Sequence, residues 1–240
     1  MKIAVFDIEG RFAHFRKFYT NSSSLSYSVP PRTTIEGIIG AILGCERDSY
    51  YKKLSSEKLH ISVKKNKPTR SITQTLNYIK ATSPSQLYAP DEHTQIPFEI
   101  ITGWGEESVS YRIYAASKES YMDELRDRLV SERYVYPPSL GTVFFQGYIK
   151  NIPCVDITLQ ESNSYVSIDS VAPLHNIKEI EIGEYQLIKE KMPKDFDENR
   201  EIKKAETYIF DQRGCPVKFK VKDNYYNIKL KYGEEKIIFM

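Results

Sequence analysis

The 240-residue chain reads as an α+β protein, with a sheet-and-two-helix domain over residues 1–150 and a small β-rich domain over 151–240. Three observations predict this. Residues 2–8, KIAVFDI, form an apolar run of strand length closed by Gly10. GIIGAILG, residues 37–44, places small and branched residues at helical spacing. Beyond Ile152 the texture changes to short alternating segments separated by turn-prone pairs.

The elements follow in order. After the first strand comes a polar loop, then Pro30 and Pro31, which forbid helix before them. Thr33 and Glu36 have the spacing of a capping box, so a helix is expected from there towards Gly44. Its side of Gly37, Gly40, Ala41 and Gly44 is nearly free of side chains, which predicts close packing across a sheet. KLHISVKKN supplies a strand around 58–65. SITQTLNYI and TQIPFEII flank an irregular tip, ATSPSQLYAPDEH, in a hairpin at about 72–100. SVSYRIYAA, 108–116, alternates as a strand, and Tyr121, Leu125 and Leu129 mark an amphipathic helix within 118–132. This order resembles a ferredoxin-like or RNA-recognition-type domain that lacks a closing strand, which YVYPPSLGTVFFQGYI can supply. In the second domain CVDITLQE, SYVSI, EYQLIK, VKFKVK, YYNIKLKY and EEKIIFM read as strands, and PKDFDENREIKKAE, 193–206, as a mobile excursion.

Composition narrows the function. The net charge is only +2, yet residues 11–70 hold twelve Lys or Arg against four acids, leaving the remainder at a net −6. Such asymmetry is the footprint of a surface that neutralises phosphates. The longest apolar stretch, Ile35 to Cys45, is about half of the roughly 20 residues that a membrane helix requires. The N-terminus lacks a signal-peptide pattern, and Cys45, Cys154 and Cys215 are too few and too scattered for a disulfide framework; a cytoplasmic protein with reduced thiols is expected. His14, His60, His93 and His175 form no metal-ligand spacing, and no nucleophile elbow or phosphate loop occurs. No metal, cofactor or catalytic residue is therefore assigned.

The informative stretch is FRKFYTNSSSLSYS. Arg16 and Lys17 can pair phosphates, Asn21, Ser22, Ser23 and Ser24 can donate to phosphate or ribose oxygens, and Phe15, Phe18, Tyr19 and Tyr27 offer faces for unpaired bases. Basic and aromatic interleaving of this kind suits single-stranded RNA. Arg32 extends the basic set. His14 fits either a binding loop or, with Tyr19 and Lys17, acid-base cleavage of RNA; no second constellation completes a catalytic site.

FDIEGRFAHFRKFYTNSSSLSYSVPPRTTIEGIIGAILG resembles the N-terminal block of the fifth CRISPR-associated (Cas) protein family, the subunit at the foot of type I Cascade surveillance complexes. The strand, basic Tyr/Ser/Arg loop and PPRTT-initiated glycine helix are most similar to the subtype I-B branch. The resemblance implies an RNA-recognition-like (RAMP) domain with a protruding thumb hairpin at about 72–100, a glycine-containing loop at 137–147 and a β-rich end. It also implies binding of the crRNA 5′ handle, contacts with the backbone and large subunits, and proximity to target DNA at the PAM-proximal end. Carried onto this sequence, it adds Arg11, Thr33, Thr34, Ser139 and Gly141 to the RNA-binding set. In the I-C branch the same scaffold is the pre-crRNA endoribonuclease, using a Tyr-Lys-His set. Here Tyr19, Tyr27 and Lys118 are available but no adjacent Lys-His pair occurs, so a non-catalytic role is expected.

Overall fold

A computed structural model describes residues 1–81, 83–90 and 92–240. At its centre lies β1 (Lys2–Gly10), buried on both faces: Ala4, Phe6 and Ile8 enter one core, Ile3 and Val5 another. Burial on two sides explains why this run is nearly continuous in apolar residues. Next come β2 (Phe12–Ala13), β3 (Phe15–Arg16) and β4 (Ser26–Tyr27), then α1 (Arg32–Leu43), β5 (Leu59–Lys65) and β6 (Thr69–Ile79). The short α2 (Pro84–Tyr88), β7 (His93–Gly103), β8 (Val109–Ser117), α3 (Tyr121–Ser131) and β9 (Tyr148–Asn151) complete the first half. The main sheet has the order β5-β8-β1-β9 with every pair antiparallel. Its strands in chain order thus stand 2-3-1-4, with a helix after the first and third, which is the ferredoxin-like arrangement. The closing strand starts only at Tyr148, and the preceding residues of the expected segment form a loop.

Two expectations about α1 need correction. Its N-cap is Pro31, with no side-chain capping bond, because Glu36 is drawn instead to Arg32 one turn earlier, both side chains being buried. The glycine side meets an aromatic ring and not the sheet: a Cβ on Gly37 would lie 3.2 Å from the Tyr50 hydroxyl, and one on Gly40 3.1 Å from the Tyr50 ring. Ile35, Ile39 and Ile42, on the other side, enter the core with Phe6 and Ile8.

The second half carries β10 (Cys154–Gln160), β11 (Val166–Ile168), β12 (Ala172–Pro173), β13 (Ile177–Ile180), β14 (Leu187–Phe196), β15 (Ile202–Asp211), β16 (Val217–Val221), β17 (Tyr225–Leu230) and β18 (Gly233–Ile237). They form three small sheets, ordered β10-β17-β18, β11-β16-β13 and β12-β15-β14. Residues 193–206 are no excursion: they lie in the long β14–β15 hairpin, whose Met192 and Tyr208 are wholly buried in the same core as Phe6. Their apolar neighbours, not the charged residues between them, decide the local structure. On the opposite sheet face Ile228, Leu230 and Ile237 pack on Val5 and Tyr114. There Arg112 grips Asp7 at 2.7 and 2.9 Å and Glu235 at 2.8 Å, while Lys64 reaches Glu235 at 2.7 Å.

The thumb is a regular β6–β7 ladder, Thr69 opposite Gly103 to Ile79 opposite His93, standing largely in solvent. Its tip, expected to be irregular, holds α2 behind a Ser83–Gln86 capping box, with Leu87 and Tyr88 exposed. Thr82 and Asp91 of that expected tip lie outside the described residues.

Arg32 joins these parts. Its guanidinium donates to the carbonyls of Leu54 (3.0 Å), Leu59 (2.6 Å) and Lys194 (3.2 Å) and to Asp195 (3.3 Å), and no part of the side chain reaches solvent. Arg32→Ala strands two carboxylates and three carbonyls; breaking a buried pair in this way costs about 3–5 kcal/mol. The thermal midpoint should fall by on the order of 10 °C. Arg32→Lys should fall nearly as far, since one ammonium cannot span those acceptors. Scanning calorimetry checks both, and an unchanged midpoint would show the network to be dispensable.

Candidate nucleic-acid interface

The basic loop is the turn of the β3–β4 hairpin, with Phe15 opposite Tyr27 and Arg16 opposite Ser26. It is closed by Lys17 N–H donating to Leu25 O at 2.8 Å. Arg16, Phe18, Tyr19, Asn21 and Ser22 are exposed; Arg16 makes one bond, to the Thr20 carbonyl at 3.2 Å. Ser23 is half-buried.

Other residues of the predicted set face inward. Lys17 bonds Glu190 at 2.8 Å; burial disfavours its charge, but the Glu190 carboxylate outweighs that and raises the pKa. Tyr27 is buried, its hydroxyl donates to Lys191 O at 2.6 Å, and burial pushes its phenol pKa up. With Arg32, these side chains pin the loop and α1 to β14, so Tyr27 and Arg32 have no surface to offer RNA. Their partners, Glu190, the Lys191 carbonyl and Asp195, lie more than 160 residues away. Local composition cannot reveal such pairing.

His14 and Ser24 are also interior. The His14 ring donates from Nδ1 to Glu99 O at 2.7 Å, accepts at Nε2 from the Ser24 hydroxyl at 3.0 Å, and stacks on Phe98 at 3.9 Å. Burial lowers its pKa, the Glu99 carbonyl opposing in part. Ser24 itself bridges to β7, donating N–H to Pro97 O and accepting from Glu99 N–H. Gly141 has φ +97°, and a Cβ there would sit 1.8 Å from the His14 carbonyl. Only glycine lets the 138–147 loop clasp this strand, where Leu140 O accepts from His14 N–H at 3.0 Å.

These segments enclose an open cleft of about 590 Å³. His14, Phe15, Arg16, Phe18, Ser24, Thr33, Thr34, Ser139 and Gly141 of the predicted residues line it, joined by Tyr50, Tyr51, Tyr78, Phe98, Phe196 and Arg200. Arg11, Tyr19, Asn21, Ser22 and Ser23 do not; Arg11 lies over the Phe12 ring beside Tyr148. The α1 N-terminus opens here with no acid in its first turn, so its free N–H groups favour an anion. Sequence reasoning missed Tyr50 and Tyr51, although YYKK repeats the basic-aromatic pattern of the loop. Phe196 and Arg200, delivered by the β14–β15 turn, carry no local signal. Cations, hydroxyls, a helix N-terminus and aromatic faces in one cleft can hold a polyanion whose bases are unstacked. Among the described residues no cluster of three metal-ligating side chains occurs.

The His14 arrangement predicts a pH dependence. A histidine whose folded pKa is below its unfolded value binds fewer protons when folded, so its contribution to stability is complete above about pH 6.5 and is lost as pH falls towards the folded pKa. Denaturant unfolding between pH 7.5 and 5 should show stability declining, and His14→Gln should remove that component of the decline.

In sequence, residues 3–115 match the family described as CRISPR-associated protein (Cas_Cas5). No curated protein matches the chain. In fold it is similar to a CRISPR protein from Archaeoglobus fulgidus, with TM-score 0.58 and 15% identity over 98% of each chain. A chain of a CRISPR RNA-guided surveillance complex gives 0.54 and 12% over 90% of each. A chain of the Type III-B Cmr-beta complex bound to cognate target RNA and AMPPnP gives 0.52 and 12%, over 89% of this chain and 86% of that one. The Cas5 family pattern thus covers residues 3–115, and the fold of the chain along nearly its whole length is similar to that of CRISPR proteins.

Proposed function

We propose that the chain is a subunit of an RNA-guided CRISPR surveillance complex that holds the 5′ handle of the crRNA in the cleft beside the basic loop. The observation that carries this is the convergence of Arg16, Arg200, the Thr33–Thr34 helix start and a set of aromatic rings on one open groove. Arg16 and the helix start neutralise phosphates, Thr34 and Ser139 donate to ribose or phosphate oxygens, and Phe18, Tyr50 and Phe196 stack on splayed bases. The similar folds of chains from a surveillance complex and an RNA-bound effector complex support this reading. Neighbouring backbone and large subunits, the PAM-proximal end of target DNA, a type I-B context and a cytoplasmic location complete the proposal. No helix among the described residues is long and apolar enough to cross a membrane.

A binding role is favoured over cleavage because the one histidine lining the cleft has both ring nitrogens engaged, by Glu99 O and Ser24. A general base needs a free nitrogen within reach of the ribose hydroxyl. Incubation of the protein with repeat RNA in chelator should leave the RNA intact; one defined cut would establish the endoribonuclease reading instead.

Handle binding should be salt-dependent, and Arg16→Ala or Arg200→Ala should each lower the log-log salt slope by roughly 0.7 while weakening affinity. Lys17→Ala should barely change the slope, because its ammonium is held by Glu190. Fluorescence anisotropy across a salt series checks all three.

A further inference from the structure

Among the described residues, no strand pairs with the outer edge of β6, a long backbone ladder. In the sheet ordered β2-β7-β6, β6 is bonded on one side only, to β7, in a register without a bulge. Natural edge strands are blunted by charges, prolines, bulges or a covering segment. SITQTLNYI, residues 71–79, has none of these: no Lys, Arg, Asp, Glu, Pro or Gly, and every residue but Ile72 is exposed. Left bare, such a strand has the composition that pairs with other chains.

We infer that this edge is a docking site for an extended segment of another polypeptide, which adds as a further strand alongside Ser71–Ile79. The chemistry of the edge selects the occupant. An edge strand presents backbone donors and acceptors in alternation at a rise of about 3.3 Å per residue, which another strand matches. A nucleic-acid backbone offers phosphate acceptors and calls for cations, yet none lies between Arg70 and Lys80. The incoming strand has a defined pattern too. Ile72, Leu76 and Tyr78, with Gln74 among them, share a face with Phe98 and Ile100, whereas Ser71, Thr73, Thr75 and Asn77, ending in Ile79, face the other way. The partner strand is therefore apolar on the face that continues Ile72, Leu76 and Tyr78 and polar on the other. A second copy suits the edge less well. Full-length antiparallel pairing of two β6 strands would bring Lys80 and Ala81 of each thumb onto the other copy beside residues 66–68, where Asn66 N–H is bonded to Ser110 O of the main sheet.

That the partner is a neighbouring subunit rests on the function proposed above; that the edge accepts a strand does not. Hydrogen–deuterium exchange of residues 70–80 tests it in three states: the free chain, the chain with synthetic handle RNA, and the ribonucleoprotein purified through a tag on this chain. The outward amides should exchange rapidly in the first two and at least about a hundredfold more slowly in the particle. The double variant Thr73→Lys/Thr75→Lys should fold, bind handle RNA within about twofold of the parent, and enter the particle at least about tenfold less, because edge lysines oppose strand addition. Equal exchange in the particle and the free chain would overturn the inference while leaving RNA binding intact. Protection by RNA alone would make the occupant a nucleic acid, and protection in the free chain that rises with concentration would make it a second copy; either result also overturns it. Loss of RNA binding by the parent chain would instead count against the proposed function, with the edge still read from the particle.

Discussion

One buried guanidinium organises the site. Arg32 stands at the first position of α1 and bonds the carbonyls that precede and open β5, the β14 backbone, and two carboxylates. Burial lowers its pKa to about 10, which leaves it charged at neutral pH. The cleft is walled by those same elements: the start of α1, the Tyr50–Tyr51 segment and the β14–β15 hairpin. Fixing one charge therefore fixes the relation between walls that are distant in sequence. Asp195 adds a second tie, accepting from Ser56 N–H at 2.8 Å and from the Ser56 hydroxyl at 2.5 Å.

The loop is anchored by similar means. Lys17 and Tyr27 bind β14, His14 and Ser24 bind β7, and Gly141 lets a third segment close over the strand between them. With these residues committed inside, the groups left free to meet a ligand are few: Arg16, Arg200, Phe18, Thr34, Ser139 and the aromatic rings across the groove. Affinity for a flexible RNA gains from such preorganisation, because fewer side chains must be ordered on binding.

The ferredoxin-like sheet was legible because periodicity reports burial directly: β1 is nearly continuous in apolar residues and β8 alternates, and their order around two helices admits few topologies. The place of the loop was legible as well, since basic and aromatic residues seldom crowd together without cause. Which of them face outward was not. Arg16 and Lys17 are adjacent and chemically alike, yet Glu190 claims only Lys17. Arg32 read as a surface cation because nothing nearby in sequence announces Asp195. Residues 193–206 read as an excursion because their charges outnumber the buried Pro193 and Asp195, which tertiary contacts hold in β14. Tertiary pairing across more than 150 residues carries these outcomes, and a single sequence does not record it.

The central claim is that one strand of RNA lies in the cleft between the basic loop and the β14–β15 turn. Ultraviolet cross-linking of handle RNA to the protein, with the adducts mapped by mass spectrometry, tests it most directly. The account predicts adducts on Phe18, Tyr50 or Tyr51 together with Phe196, from walls that meet only in the folded chain. Adducts confined to Trp104 or to Tyr148, away from the cleft, would contradict it.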